Sequence, residues 1–169
     1  EDVTWICDGS RALDFTRVYL ETFERETTPV MQDLGKRLKS NSLPTHLTSC
    51  AGIAIIKPHF PFFIAYDIAE SLTSSAKSKS RDADSSVSSF DFHLVSDSAH
   101  TELTAIREGR RSDKDQIRLW GGPYLVRQGL PSRLRDAEWL QEAVRAARVT
   151  DTDGKRIMPR SAAMRIKQG

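Results

Sequence analysis

The sequence predicts an α+β domain: a sheet with helices on one face, followed by C-terminal helices. Three observations lead there. Residues 51–56, Ala51-Gly52-Ile53-Ala54-Ile55-Ile56, form an unbroken apolar run between loop signals, which suits a central strand covered on at least one face. Two longer stretches, 11–39 and 61–76, carry apolar residues at helical spacing. The order along the chain is strand, long helix, strand, helix, strand and then a helical tail, with no internal repeat.

Each element has its own signal. Residues 3–7, Val3-Thr4-Trp5-Ile6-Cys7, are β-branched and aromatic and read as a first strand beside 51–56. Asp8-Gly9-Ser10 is a turn and a helix start. Leu13, Phe15, Val18, Tyr19, Leu20 and Phe23 then recur near helical period to about Glu26. Thr27-Thr28-Pro29 interrupts the pattern, and Val30, Leu34 and Leu38 continue a helical face to about Lys39. Residues 40–44 are a loop. Pro61 suits a helix start, and Ala65, Ile68, Ala69, Leu72 and Ala76 form one stripe. The Ser-rich segment 77–89 reads as a mobile loop. Phe90-Asp91-Phe92-His93-Leu94-Val95 alternates as a strand, 101–110 suits a short helix, and 116–126 suits a strand broken at Gly121-Gly122-Pro123. Ser132 is placed to cap a helix with Leu134, Ala137, Leu140, Val144 and Ala147 on one stripe. Pro159-Arg160-Ser161 starts a last, cationic helix. These signals divide the 169 residues into a domain over 1–126 and a basic helical extension over 127–169.

Composition excludes several classes. Hydrophobic residues make up 38 % and charged residues 28 %, enough apolar content for a core. The longest apolar runs fall far short of the ~20 residues of a membrane helix, and no basic segment marks a signal peptide. Two cysteines exclude a disulfide framework, and a reducing cytoplasm fits best. Charge is uneven: residues 1–126 hold 15 Lys and Arg against 18 Asp and Glu, net −3, and residues 127–169 hold 10 against 5, net +5. The basic tail suits either an anionic partner such as nucleic acid or a solvated helical face.

Four constellations bear on chemistry. Glu1-Asp2 before a strand is either an oxygen-ligand pair for Mg²⁺ or a pair of solvated carboxylates. Lys77, Lys79 and Arg81 follow the helix ending near Ala76. If that helix continues, Lys77 and Arg81 share a face at i, i+4 and suit a polyphosphate; otherwise they solvate a helix end. Asp91 and His93 lie on one strand face, as a metal pair or as a hydrogen-bonded structural histidine. Asp151-Thr152-Asp153-Gly154 opens like a calcium loop but lacks the closing Glu, so it reads as a turn. Gly121-Gly122 reads as a turn or bulge, and no nucleophile elbow, Walker loop or dinucleotide fingerprint is present.

Five short stretches, in order, resemble one family. Glu1-Asp2-Val3-Thr4, with Ile6-Cys7-Asp8-Gly9 after it, resembles the stretch following the two glycines of a "GGDD"-type hairpin. Cys50-Ala51-Gly52-Ile53-Ala54 and Phe60-Pro61 resemble the next strand and helix start. Ala76-Lys77 resembles the "AK" at that helix's end, and Ser89-Phe90-Asp91-Phe92-His93 the strand after it. This is similar to the second Palm domain of the type III CRISPR polymerase-like large subunit and its stand-alone relatives, itself similar to GGDEF and nucleotidyl cyclase palms. The resemblance covers roughly residues 1–126. The family's two glycines, the segments before them and its first palm strand with a metal-binding Asp are not in this chain, and Glu1 stands where the family has Asp.

The resemblance implies a ferredoxin-like palm that binds ATP-type nucleotide with two Mg or Mn ions and makes cyclic oligonucleotide messengers in antiviral defence. It implies Glu1 and Asp2 as metal ligands, Asp2 as catalytic, and Lys77 and Arg81 as phosphate-binding cations. It places the triphosphate between Glu1–Asp2 and the C-terminal end of the helix at 61–76. The partners expected are a nucleoside triphosphate, a second palm or homodimer, and an RNA or effector complex, with no membrane. The alternative is a non-catalytic palm module for nucleotide binding or assembly in such a complex.

Overall fold

The computed structural model describes residues 2–40, 42–82, 87–95, 102–112, 117–118, 120–126 and 136–150. Glu1, Ser132, the 151–154 turn and the helix expected from Pro159 lie outside the described residues, as does most of the basic extension. The architecture is α+β, with four helices among the described residues and a small mixed sheet. No helix of the described residues is long and apolar enough to cross a membrane.

The first helix, α1 (Ala12–Leu38), runs 27 residues straight through Pro29. The expected break at Thr27-Thr28-Pro29 is absent. The missing proline N–H costs one hydrogen bond, and packing on both sides carries the helix through it: Leu20 precedes Pro29, Met31 follows it, and both are buried. The Thr27 and Thr28 hydroxyls donate back to the carbonyls of Phe23 and Glu24 at 2.8 Å, inside the helix rather than against it.

The next elements form a βαβ unit. Strand β1 (Cys50–Ile55) pairs in parallel with β2 (Ser89–Leu94), and α2 (Phe62–Asp82) connects them. Gly52 makes the close packing possible, because a Cβ there would overlap the backbone of α2 at Ala69 and Thr73. Helix α2 does not stop at Ala76. It continues six residues into the segment expected to be a mobile loop. Nothing between Ala76 and Asp82 breaks a helix, and Lys79 and Arg81 suit its last turn. Buried serines then fix its end: Ser80 donates to the Val87 carbonyl at 2.6 Å, and Ser89 donates to the Ala76 carbonyl at 2.7 Å.

After β2 come α3 (Leu103–Glu108), a short ladder of β3 (Arg111–Ser112) with β4 (Ile117–Arg118), β5 (Tyr124–Leu125), and α4 (Ala137–Arg148). The strand expected over 116–126 is thus split between two sheets. Asp136 caps α4, taking the Trp139 N–H at 2.7 Å.

The main sheet has the order β1-β2-β5, so β2 is central and β1 lies at an edge among the described residues. This corrects the expected central position of 51–56; every residue of β1 is half-buried. The expected first strand is also absent. Residues 3–7 are exposed and form no ladder, and the Trp5 ring packs instead on Phe15 and Tyr19 of α1.

Helices cover both faces of the sheet, not one. On one face, Phe90 and Tyr124 pack with Leu20 of α1 and Ala137 of α4, joined by Ala51, Ile53 and Leu140. On the other, Ile68 and Leu72 of α2 pack with Val95 and Leu103, joined by Ala54 and Ile56. The Phe90 side chain is 2 % exposed, and burying a ring of that size contributes on the order of 1.5–3 kcal/mol.

Candidate functional site

Alternation along β2 turns Ser89, Asp91 and His93 toward α2 and α3. Asp91 is completely buried, and it is paired. Its Oδ2 lies 2.6 Å from Arg107 Nη2, and its Oδ1 accepts the Phe92 N–H at 2.9 Å. The Arg107 guanidinium also donates through Nη1 to Ser75 Oγ of α2 at 3.0 Å, and it lies over the Trp120 ring, 5.6 Å from the centroid. Gly122 closes the group: a Cβ there would overlap Asp91 Oδ1. One carboxylate thus ties β2, α2, α3 and the segment leading into β5.

His93 is buried beside this group. Burial, then the charges of Arg110 and Arg107, hold its pKa below the ordinary 6.5, while Asp91 pulls the other way. The unfolded chain therefore takes up a proton near 6.5 while the folded chain still excludes it. The neutral histidine's contribution to stability is complete above that pH and declines as pH falls below it, until the folded imidazole titrates as well. Urea midpoints at about pH 7.5 and about pH 5.5 should show this decline, and His93→Gln should reduce it.

The residues expected to hold nucleotide are only partly gathered. Lys77 and Arg81 lie on α2, one turn apart on one exposed flank. Tyr66 and Glu70 share that stripe toward the helix start, at i−11 and i−7 from Lys77. The Glu70 carboxylate, hydrogen-bonded to the Tyr66 phenol, raises the phenol's pKa, and Asp2 adds a smaller push in the same direction. Tyr66, whose phenol feels that charge, lies eleven residues before Lys77, which is about 16 Å along a helix axis. The expectation put Glu1–Asp2 at the C-terminal end of this helix. Asp2 acts instead on Tyr66, in the N-terminal part of α2, and residues 3–7 follow α1 rather than extending the sheet. Glu1 lies outside the described residues. Among the described residues, no three His, Cys, Asp or Glu side chains gather as a metal cluster.

No protein-family model matches the chain, and no curated protein matches it significantly. The candidate residues rest on their own geometry.

Arg107, Ser75 and Trp120 have no signal in the sequence as site residues. Arg107 is 16 positions from Asp91 and 32 from Ser75. Only the fold unites them.

Proposed function

We propose that this chain is a palm-like domain that binds the phosphates of an ATP-type nucleotide on the Lys77–Arg81 flank of α2. One observation carries the reading. Helix α2 continues to Asp82 and so sets both cations a turn apart on one accessible face, as a polyphosphate requires. The parallel β1-α2-β2 unit beneath it supports the palm assignment. The associated activity is nucleotidyl transfer, with a ribose 3′-OH attacking an α-phosphate and pyrophosphate leaving, to give a cyclic oligonucleotide messenger in cytoplasmic antiviral defence. The part assigned to Lys77 and Arg81 is to orient the triphosphate and offset its charge.

The influence of Asp2 on Tyr66, in the N-terminal part of α2, favours a second reading: a non-catalytic module that binds nucleotide, or packs against another palm, within a CRISPR-like complex. Calorimetric titration of ATP with Mg²⁺ tests the shared part of both readings. Lys77→Ala and Arg81→Ala should each weaken binding by about 1–3 kcal/mol. Their thermal stability should barely change. Equal affinity across wild type and both variants would remove the phosphate assignment. Incubation with labelled ATP then separates the readings, since only the catalytic one yields oligonucleotide products that Asp2→Ala abolishes.

A further inference from the structure

We propose that the exposed face of α1 is the interface through which two copies of this chain pair, helix against helix and antiparallel. The pairing needs no nucleotide and stands apart from the function proposed above. Helix α1 is 27 residues long, about 40 Å at 1.5 Å per residue. Phe15, Tyr19, Val30, Leu34 and Leu38 are between 36 % and 62 % exposed, and Phe23 is half-buried. At helical period these six positions fall on one stripe. The Trp5 ring, 61 % exposed, packs on Phe15 and Tyr19 and widens the stripe at that end. An exposed apolar surface of this length marks an interaction site.

The spacing points to a second copy as the occupant. Positions 15, 19 and 23 mirror positions 38, 34 and 30 about a point between Glu26 and Thr27. In a two-fold pair, residue i of one copy meets j of the other, and j meets i. With the axis at that point, Phe15, Tyr19 and Phe23 come opposite Leu38, Leu34 and Val30 of the second copy, so each ring meets an aliphatic side chain. Charge agrees with this direction. Residues 12–26 hold two arginines against four carboxylates, net −2, and residues 27–39 hold three cations against one carboxylate, net +2. Antiparallel pairing lays each negative half along a positive one and opposes the two helix dipoles. At the ends of the seam the exposed Asp14 comes opposite the exposed Lys39. Lys36 comes opposite Arg17, whose charge Glu21 offsets at 2.9 Å within the same helix.

Sedimentation velocity of the full chain, across micromolar to millimolar concentration, tests the pairing. Wild type should show a monomer–dimer equilibrium. Leu34→Glu and Tyr19→Glu each bury two unpartnered carboxylates per dimer, and each should raise the dissociation constant about a hundredfold or more. Both positions are exposed in the single chain, so the circular dichroism of the variants should match wild type. Gln32→Glu, exposed on the opposite side of the helix from Leu34, should leave the dimer intact. Asp14→Lys or Lys39→Asp alone should weaken the dimer about threefold to thirtyfold. The two together should restore it, because the swap recreates the pair across the axis. A chain that stays monomeric throughout overturns the proposal. So does a dimer that survives Leu34→Glu and Tyr19→Glu, or one that Gln32→Glu disrupts equally. A double swap that pairs no better than the single changes overturns it too, by removing the antiparallel register.

Discussion

Arg107→Ala should destabilise this protein by about 3–5 kcal/mol, the cost of breaking a buried ion pair from one side. The substitution leaves Asp91, with 0 % of its side chain exposed, buried without its cation. It also strips Ser75 of its donor and Trp120 of the charge over its ring. Chemical denaturation measures the loss directly. Arg107→Lys should be intermediate, because one ammonium does not reproduce the two separate Nη contacts. The double variant Asp91→Ala/Arg107→Ala should lose less than the sum of the two single variants, since each single change strands the partner. A loss below about 1 kcal/mol for Arg107→Ala would show that water reaches the carboxylate.

Gly52→Val should follow, with a loss of about 1–3 kcal/mol or more. Even the first carbon of a side chain there overlaps the Ala69 carbonyl and the Thr73 amide, which are backbone atoms of α2. No rotamer change relieves such a clash, so the helix itself has to move off β1. Thermal melting is the measurement, and an unchanged midpoint would mean that α2 does not rest on Gly52. Ala54, two residues along and on the same face, is itself half-buried and packs against the cluster of Ile68, Leu72, Val95 and Leu103. Ala54→Gly therefore serves as a control with a smaller effect.

The parts of this fold legible in the sequence are those with local causes. The apolar run at 51–56 marks a strand, the alternation at 90–95 marks another, and the stripe from Ala65 to Ala76 marks α2. Local signals mislead where distant packing decides. Val3-Thr4-Trp5-Ile6-Cys7 has strand composition, but Trp5 finds the rings of α1 instead of a ladder. Pro29 looks like a stop, but Leu20 and Met31 are buried on either side of it. The serines after Ala76 look like a loop, because nothing local shows that Ser80 and Ser89 have carbonyls waiting for them. The site divides in the same way. The i, i+4 spacing of Lys77 and Arg81 is visible in the sequence once the helix is known to continue. The Asp91–Arg107 pair joins elements that only the tertiary fold brings together.

The middle position of β2 also governs when a growing chain can finish folding. By the time Leu94 has been synthesised, α1, β1, α2 and β2 are all present, yet β2 is still missing partners on both faces. Phe90 and Phe92 await the ring of Tyr124, and the Asp91 carboxylate awaits Arg107. A strand carrying an unneutralised carboxylate on one side and unmatched rings on the other has no stable buried state. The first half of the chain thus lacks its final packing partners until residues 107–140 arrive, and the core of the domain closes late in synthesis.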